Sequence, residues 1–109
     1  MPKVAKLIST FKKEEVSRIF QTSNRRIKTE WLDVILAKKA LDFGRILVVT
    51  SRKVGNAPKR NKIRRRLKSI FYENKLYDLQ YDCIILTRKE AIDLSFEQLE
   101  SILVSALTK

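Results

Sequence analysis

Apolar residues recur along this chain with two periods, and each period predicts a different element. Between residues 13 and 21, Val16, Ile19 and Phe20 stand at i, i+3 and i+4, which predicts a short helix. Glu14 and Glu15 fall in its first turn, where the helix dipole favours acids. Residues 22–28, containing Thr22-Ser23-Asn24-Arg25-Arg26, read as a polar, basic loop. Alternation from Trp31 to Leu36 predicts a strand, with Trp31, Asp33 and Ile35 on one face and Leu32, Val34 and Leu36 on the other. Lys38 to Gly44 is a connection with room for a helical turn. Arg45 to Thr50 carries the run Ile46-Leu47-Val48-Val49, which suits a strand buried on both faces.

The second half repeats the alternation of element types. Gly55 predicts a flexible corner, Asn56 a helix N-cap, and Pro58 a place in a first helical turn. Because residue 57 precedes proline, the helix start is defined only to within one residue. Ile63, Leu67, Ile70 and Phe71 then carry helical spacing to about Tyr72. Asp82 to Thr87, with Cys83-Ile84-Ile85-Leu86, predicts a third strand. Ser95 caps a last helix with Glu97 in its first turn and Leu99, Ile102, Leu103 and Ala106 as its apolar stripe. The order α-β-β-α-β-α predicts an α+β fold with helices packed on one small sheet. No repeat or Pro/Gly/Ser-rich linker divides the 109 residues, so residues 1–109 are expected to be one domain.

Charge changes the picture more than composition does. The formal net charge is +12, and residues 52–72 hold nine Lys and Arg with no Asp or Glu. Residues 73–109 are weakly acidic, with four basic and seven acidic side chains. The absence of His removes the side chain whose ordinary pKa lies near neutrality, which makes acid–base catalysis by this chain alone improbable. One Cys and no His leave no zinc cluster and no internal disulfide. Cys83, inside an apolar strand, reads as a small buried hydrophobe. Asp78 and Asp82 have the look of a metal pair, but acids so placed are usually turn and surface residues. No apolar run is long enough to span a membrane, and Met1-Pro2-Lys3-Val4-Ala5-Lys6 lacks the apolar stretch of a secretory signal. A polyanionic partner is the expectation, nucleic acid ahead of an anionic membrane.

On the helix starting near residue 57, the four apolar residues fall within an arc of about 100°. Arg60, Arg64, Lys68, Asn61 and Arg65 fan away from one side of that arc, while Lys62, Lys59 and Arg66 flank the other. Arg grips phosphate with two donors, and Asn donates and accepts against ribose or base edges. Like charges at i, i+4, such as Arg60 with Arg64, destabilise an isolated helix. A polyanion would relieve that repulsion, whereas a merely solvated face would be expected to mix signs.

The run Ser51-Arg52-Lys53-Val54-Gly55-Asn56-Ala57-Pro58-Lys59-Arg60-Asn61-Lys62-Ile63-Arg64-Arg65-Arg66-Leu67 closely resembles the protein subunit of bacterial ribonuclease P. That family shows a basic pair, then Gly-Asn-Ala, then Arg-Asn-Arg, then further cations on one helix. Two positions depart: Lys62 replaces the last Arg and loses its bidentate fork, and Pro58 replaces an aliphatic residue. The resemblance implies a two-layer α/β sandwich with a left-handed βαβ crossover, against the usual handedness. It implies an RNA catalyst that uses magnesium, with the protein as an accessory that carries no catalytic and no metal-binding residue. It places Arg52, Lys53, Asn56, Lys59, Arg60, Asn61, Lys62, Arg64, Arg65 and Lys68 toward the RNA subunit. It also implies a cleft between the first helix and the sheet for the 5′ leader of precursor transfer RNA, with Val16, Phe20, Trp31 and Val34 at the matching positions. Phe20 is equally readable as a core residue, and Trp31 more readily as core than as a stacking platform. Arg18, Arg25, Arg26 and Lys28 would add phosphate contacts. Magnesium (Mg2+) is expected at the RNA, whose phosphates supply hard oxygen ligands. The implied location is cytoplasmic, with no membrane and no obligate protein partner. The residues leave two other classes open: a structural RNA-binding protein of ribosomal type, and a DNA-binding protein, although no helix-turn-helix pair is evident.

Overall fold

The computed structural model describes residues 11–22, 25–79 and 81–108. The start of the chain, read above for a signal segment, lies outside these residues. Helix α1 (Lys13–Thr22) is followed by β1 (Arg25–Lys28), β2 (Leu32–Lys38), β3 (Ile46–Val49), α2 (Ala57–Glu73), β4 (Tyr81–Thr87) and α3 (Phe96–Leu107). The sheet order is β1-β2-β4-β3, antiparallel except for the parallel pair β3 and β4. Those two neighbours are joined through α2, which makes the βαβ unit of the fold. The longest pairing, from Leu32 opposite Thr87 to Lys38 opposite Tyr81, sits at the centre of the sheet.

This register sorts side chains cleanly between the two faces. Leu32, Val34 and Leu36 of β2, Ile46 and Val48 of β3, and Cys83 and Ile85 of β4 meet Ile63, Leu67, Ile70 and Phe71 of α2 and Leu99 and Leu103 of α3 in the main core. On the opposite face, Ile19 of α1 closes a smaller cluster with Ile35, Ala37 and Ile84. The four apolar residues that define the inner stripe of α2 are all buried, as their spacing predicts. Asn56 caps this helix by accepting from the Lys59 N–H at 3.1 Å, and Ser95 and Gln98 form a reciprocal capping box at the start of α3. Cys83 is buried, and its desolvation, reinforced by the Asp82 charge, pushes the thiol pKa well up and leaves it inert.

Three local expectations are corrected. Residues 25–28 are not loop but the edge strand β1, in which only Ile27 packs toward the core while Arg25, Arg26 and Lys28 are exposed. Cations on an outer strand discourage edge-to-edge pairing, and they leave no apolar alternation to read. Strand β2 begins at Leu32 rather than Trp31, because the Thr29 hydroxyl accepts from the N–H groups of Trp31 and Leu32 and builds a tight turn there. Gly55 is not a flexible corner but extended backbone of a kind any residue adopts, and a Cβ there would make ordinary contact with Ile92 Cγ1 at 3.4 Å.

Gly44, by contrast, is needed as glycine. Its N–H donates to the Tyr77 carbonyl at 2.8 Å, and a Cβ would overlap the Tyr81 carbonyl oxygen. Backbone on both sides cannot step aside as a flexible side chain can. Gly44→Ala is expected to lower stability by about 1–3 kcal/mol, the usual cost of forcing atoms into packed space. A urea midpoint unchanged from the parent chain would contradict this.

Candidate nucleic-acid interface

The turn Arg52–Val54 and helix α2 present all nine cations of residues 52–68. Val54 anchors the turn in the interior while Arg52 and Lys53 stay exposed. On α2 the buried stripe forces Lys59, Asn61, Lys62 and Arg65 outward to full exposure, and Arg60, Arg64, Arg66 and Lys68 to its half-buried flanks. Two of the flanking side chains are held in place by neutral partners. Arg64 donates from Nε to Thr50 Oγ1 at 3.0 Å, beside the end of β3, and Arg66 donates to the Leu94 carbonyl at 3.2 Å. Arg60 Nε is buried with no hydrogen-bond partner. Asn56 commits its side-chain oxygen to the helix cap, which leaves its amide N–H groups for a ligand.

None of these nine cations has an ion-pair partner among the described residues. The contrast with the rest of the fold is direct. Arg26 and Arg88 converge on Asp33, and Arg45 is clamped between Glu15 and Asp82 at 2.6 and 2.8 Å. The first turn of α2 also holds no acid, so the positive end of the helix dipole adds to the same surface. Surface cations left unpaired in this number focus a positive potential and attract a polyanion.

The four positions matched to a leader cleft are not brought together. Val16 packs on the α1 face of the sheet, and Phe20 stands 48% exposed on α1. Val34 is fully buried on the other face among the α2 and α3 contacts. Trp31, drawn into the turn by Thr29, also packs against that main core. Alternation along one strand separates two faces without saying which of them meets α1, so Val34 was assigned to the wrong one. Residues on the α1 face that were passed over are Leu47 and Leu86, half-buried, and Val49, exposed. The alternation of Leu47 and Val49 against Ile46 and Val48 was the available signal. It was masked by reading β3 as buried on both sides. Arg25, Arg26 and Lys28 lie exposed on β1, and Arg18 is exposed on α1.

Asp78 and Asp82 do not form a metal pair. Asp78 is exposed in a turn, while Asp82 is buried with both carboxylate oxygens taken by Arg45. Among the described residues, no three His, Cys, Asp or Glu side chains are grouped to hold an ion. No described helix is long and apolar enough to cross a membrane.

The family model for ribonuclease P matches residues 1–109. The chain belongs to the ribonuclease P protein family. It is 31% identical to the ribonuclease P protein component of Halalkalibacterium halodurans over 80% of this chain and 74% of that protein. To the corresponding protein of Petrotoga mobilis it is 36% identical, covering 74% of this chain and 75% of that one. The solved RNase P protein of Staphylococcus aureus superposes with a TM-score of 0.82 at 26% identity, over 93% of each chain. That of Thermotoga maritima gives 0.80 at 25% identity, over 91% of this chain and 94% of its own. The architecture is therefore that of the ribonuclease P proteins. The chain is an accessory subunit of ribonuclease P, a ribonucleoprotein endoribonuclease of tRNA processing. This accounts for an enzyme subunit with no His.

Proposed function

We propose that this chain binds the RNA subunit of ribonuclease P through the unpaired cations of residues 52–68 and helps it hold precursor tRNA for removal of the 5′ leader. The observation that carries this reading is that, among the described residues, none of those nine cations forms an ion pair, set against the paired Arg26, Arg45 and Arg88. Cationic side chains on a rigid helix neutralise phosphates of the RNA and so reduce repulsion between catalyst and substrate. The leader is assigned to the α1 face of the sheet, where Phe20 and Val49 are both exposed and suit contact with unstacked bases. Magnesium belongs to the RNA in this account, since Asp82 is engaged by Arg45 and no three acids are grouped among the described residues. The setting is the cytoplasm.

Recovery of the chain from its own cells under native conditions tests this assignment. Sequencing the bound RNA is expected to return the ribonuclease P RNA with precursor tRNA. Ribosomal RNA alone would favour a structural RNA-binding role, and duplex DNA a third class.

A further inference from the structure

The two flanks of α2 differ in what lies beside them. Arg64 reaches Thr50 beside the end of β3, but Lys59, Lys62 and Arg66 border a groove of about 390 Å3 between α2, the turn at 91–94 and the first turn of α3. Its volume lies within the range of pockets that take a small organic group. The floor is apolar, made by buried Ile63, Ala91 and Leu99 with half-buried Ile92 and Leu94. One wall is the three cations, and the facing wall offers Asp93 and Gln98.

We propose that this groove receives the base of one unpaired nucleotide of the RNA subunit, with its phosphate held at Lys59 and Lys62. The inference rests on the function proposed above and adds a place where the RNA is read rather than only neutralised. Phosphate contacts alone require exposed cations and have no use for an apolar floor, whereas an unstacked base brings a flat apolar face with polar edges. Arg66 is fixed by its bond to the Leu94 carbonyl, and its other N–H groups have no partner among the described residues, so its planar guanidinium is available to stack or to grip. Among the described residues Asp93 has no hydrogen-bond or ion-pair partner, and its carboxylate can accept from an exocyclic amino group. Gln98 gives its oxygen to the Ser95 N–H and keeps its amide donors.

The walls are held rigidly. The Ser95–Gln98 capping box fixes the start of α3, and Arg66 ties α2 to the Leu94 carbonyl just before it. The RNA subunit is favoured over the leader as the source. The groove lies with α2 and α3, whereas the exposed apolar residues assigned to the leader lie on the α1 face across the sheet. A paired base cannot enter, because its edges are occupied and its faces stacked.

The experiment compares the full chain with its Arg66→Ala and Asp93→Asn variants, first confirming equal thermal stability. Chemical probing of Watson–Crick edges in the RNA subunit is run with each, alongside salt-dependent binding and cross-linking to a precursor tRNA leader. The wild-type chain is expected to protect a single unpaired base that both variants expose. Affinity for the RNA subunit should fall about 5- to 20-fold, with the salt slope changed by no more than about one. Leader cross-links should be unaltered. An unchanged footprint with either variant overturns the proposal, as does loss of protection across the whole interface at once. Loss of leader cross-links without change on the RNA subunit assigns the groove to the substrate and overturns it too. A wild-type chain that leaves the RNA subunit unprotected would overturn the underlying function instead.

Discussion

Replacing Arg60, Arg64 and Arg65 together with Ala is expected to weaken binding to the ribonuclease P RNA about 100-fold. The estimate takes each lost charge-assisted contact as on the order of 1 kcal/mol, with 1.4 kcal/mol per tenfold in affinity. The slope of log affinity against log salt should fall by about 2–3, close to one unit for each phosphate no longer neutralised. Stability of the free chain should move the other way. Arg60, Arg64 and Lys68 repel along one flank of α2, and no acid offsets them. Removing Arg60 and Arg64 relieves that repulsion, against the loss of the Arg64 bond to Thr50 Oγ1, and should leave the folded state unchanged or a few tenths of a kcal/mol more stable. Opposite signs for binding and stability separate an RNA-facing surface from a structural one. Filter binding across a salt series, paired with urea unfolding, reads both. An unchanged slope would mean that these arginines are only solvated.

Helix α2 was legible because every local signal agreed: the Asn56 cap, Pro58 in the first turn, the spacing of Ile63, Leu67, Ile70 and Phe71, and the cations outside that stripe. The start of α3 was legible for the same reason, through Ser95. Strand β1 was not, because an exposed edge with one inward residue carries no alternation. The side of the sheet taken by Val34 and the turn that captures Trp31 depend on pairing with β4 and on Thr29, which are tertiary and hydroxyl-specific facts. The cationic surface of α2 could thus be read from one helix, while the side chains that share the α1 face of the sheet, drawn from several elements, could not. Arg45 shows the same limit. By composition it is one more surplus cation at a strand end, yet it is 3% exposed and doubly paired.

That buried cluster carries the largest stability effect expected in the molecule. Asp82 accepts from the Arg45 backbone N–H at 3.0 Å and from its guanidinium at 2.8 Å, while Glu15 of α1 takes the same guanidinium nitrogen at 2.6 Å. Phe11 lies over the guanidinium at 4.3 Å. Asp82→Ala would leave the Arg45 charge buried without the carboxylate that meets its guanidinium at 2.8 Å. The expected cost is about 3–5 kcal/mol, the range for breaking a buried pair by removing one partner. Glu15 adds a pH signature. Its bonds from Arg45, and then from the Lys12 N–H, lower its pKa from 4.5 to about 2. A carboxylate lowered in the folded state stabilises fully above its unfolded value and loses that contribution as pH falls toward the folded one. The Glu15 contribution should therefore be complete above about pH 4.5 and fade toward pH 2. Glu15→Gln should remove this part of the acid sensitivity. Urea midpoints for both variants against pH are the check. Parent-like stability of Asp82→Ala, or an unaltered acid profile for Glu15→Gln, would contradict the clamp.

The central claim is that the cations of residues 52–68, a stretch without acids, let the catalytic RNA hold its substrate when few metal ions screen the two. Single-turnover cleavage of precursor tRNA by the matching RNA subunit, at magnesium too low for that RNA to act alone, tests it most directly. Adding this chain should restore release of the 5′ leader at the correct bond, and the Arg60, Arg64 and Arg65 triple variant should require far more protein to do so. Cleavage that stays absent with saturating, RNA-bound wild-type chain would contradict the account.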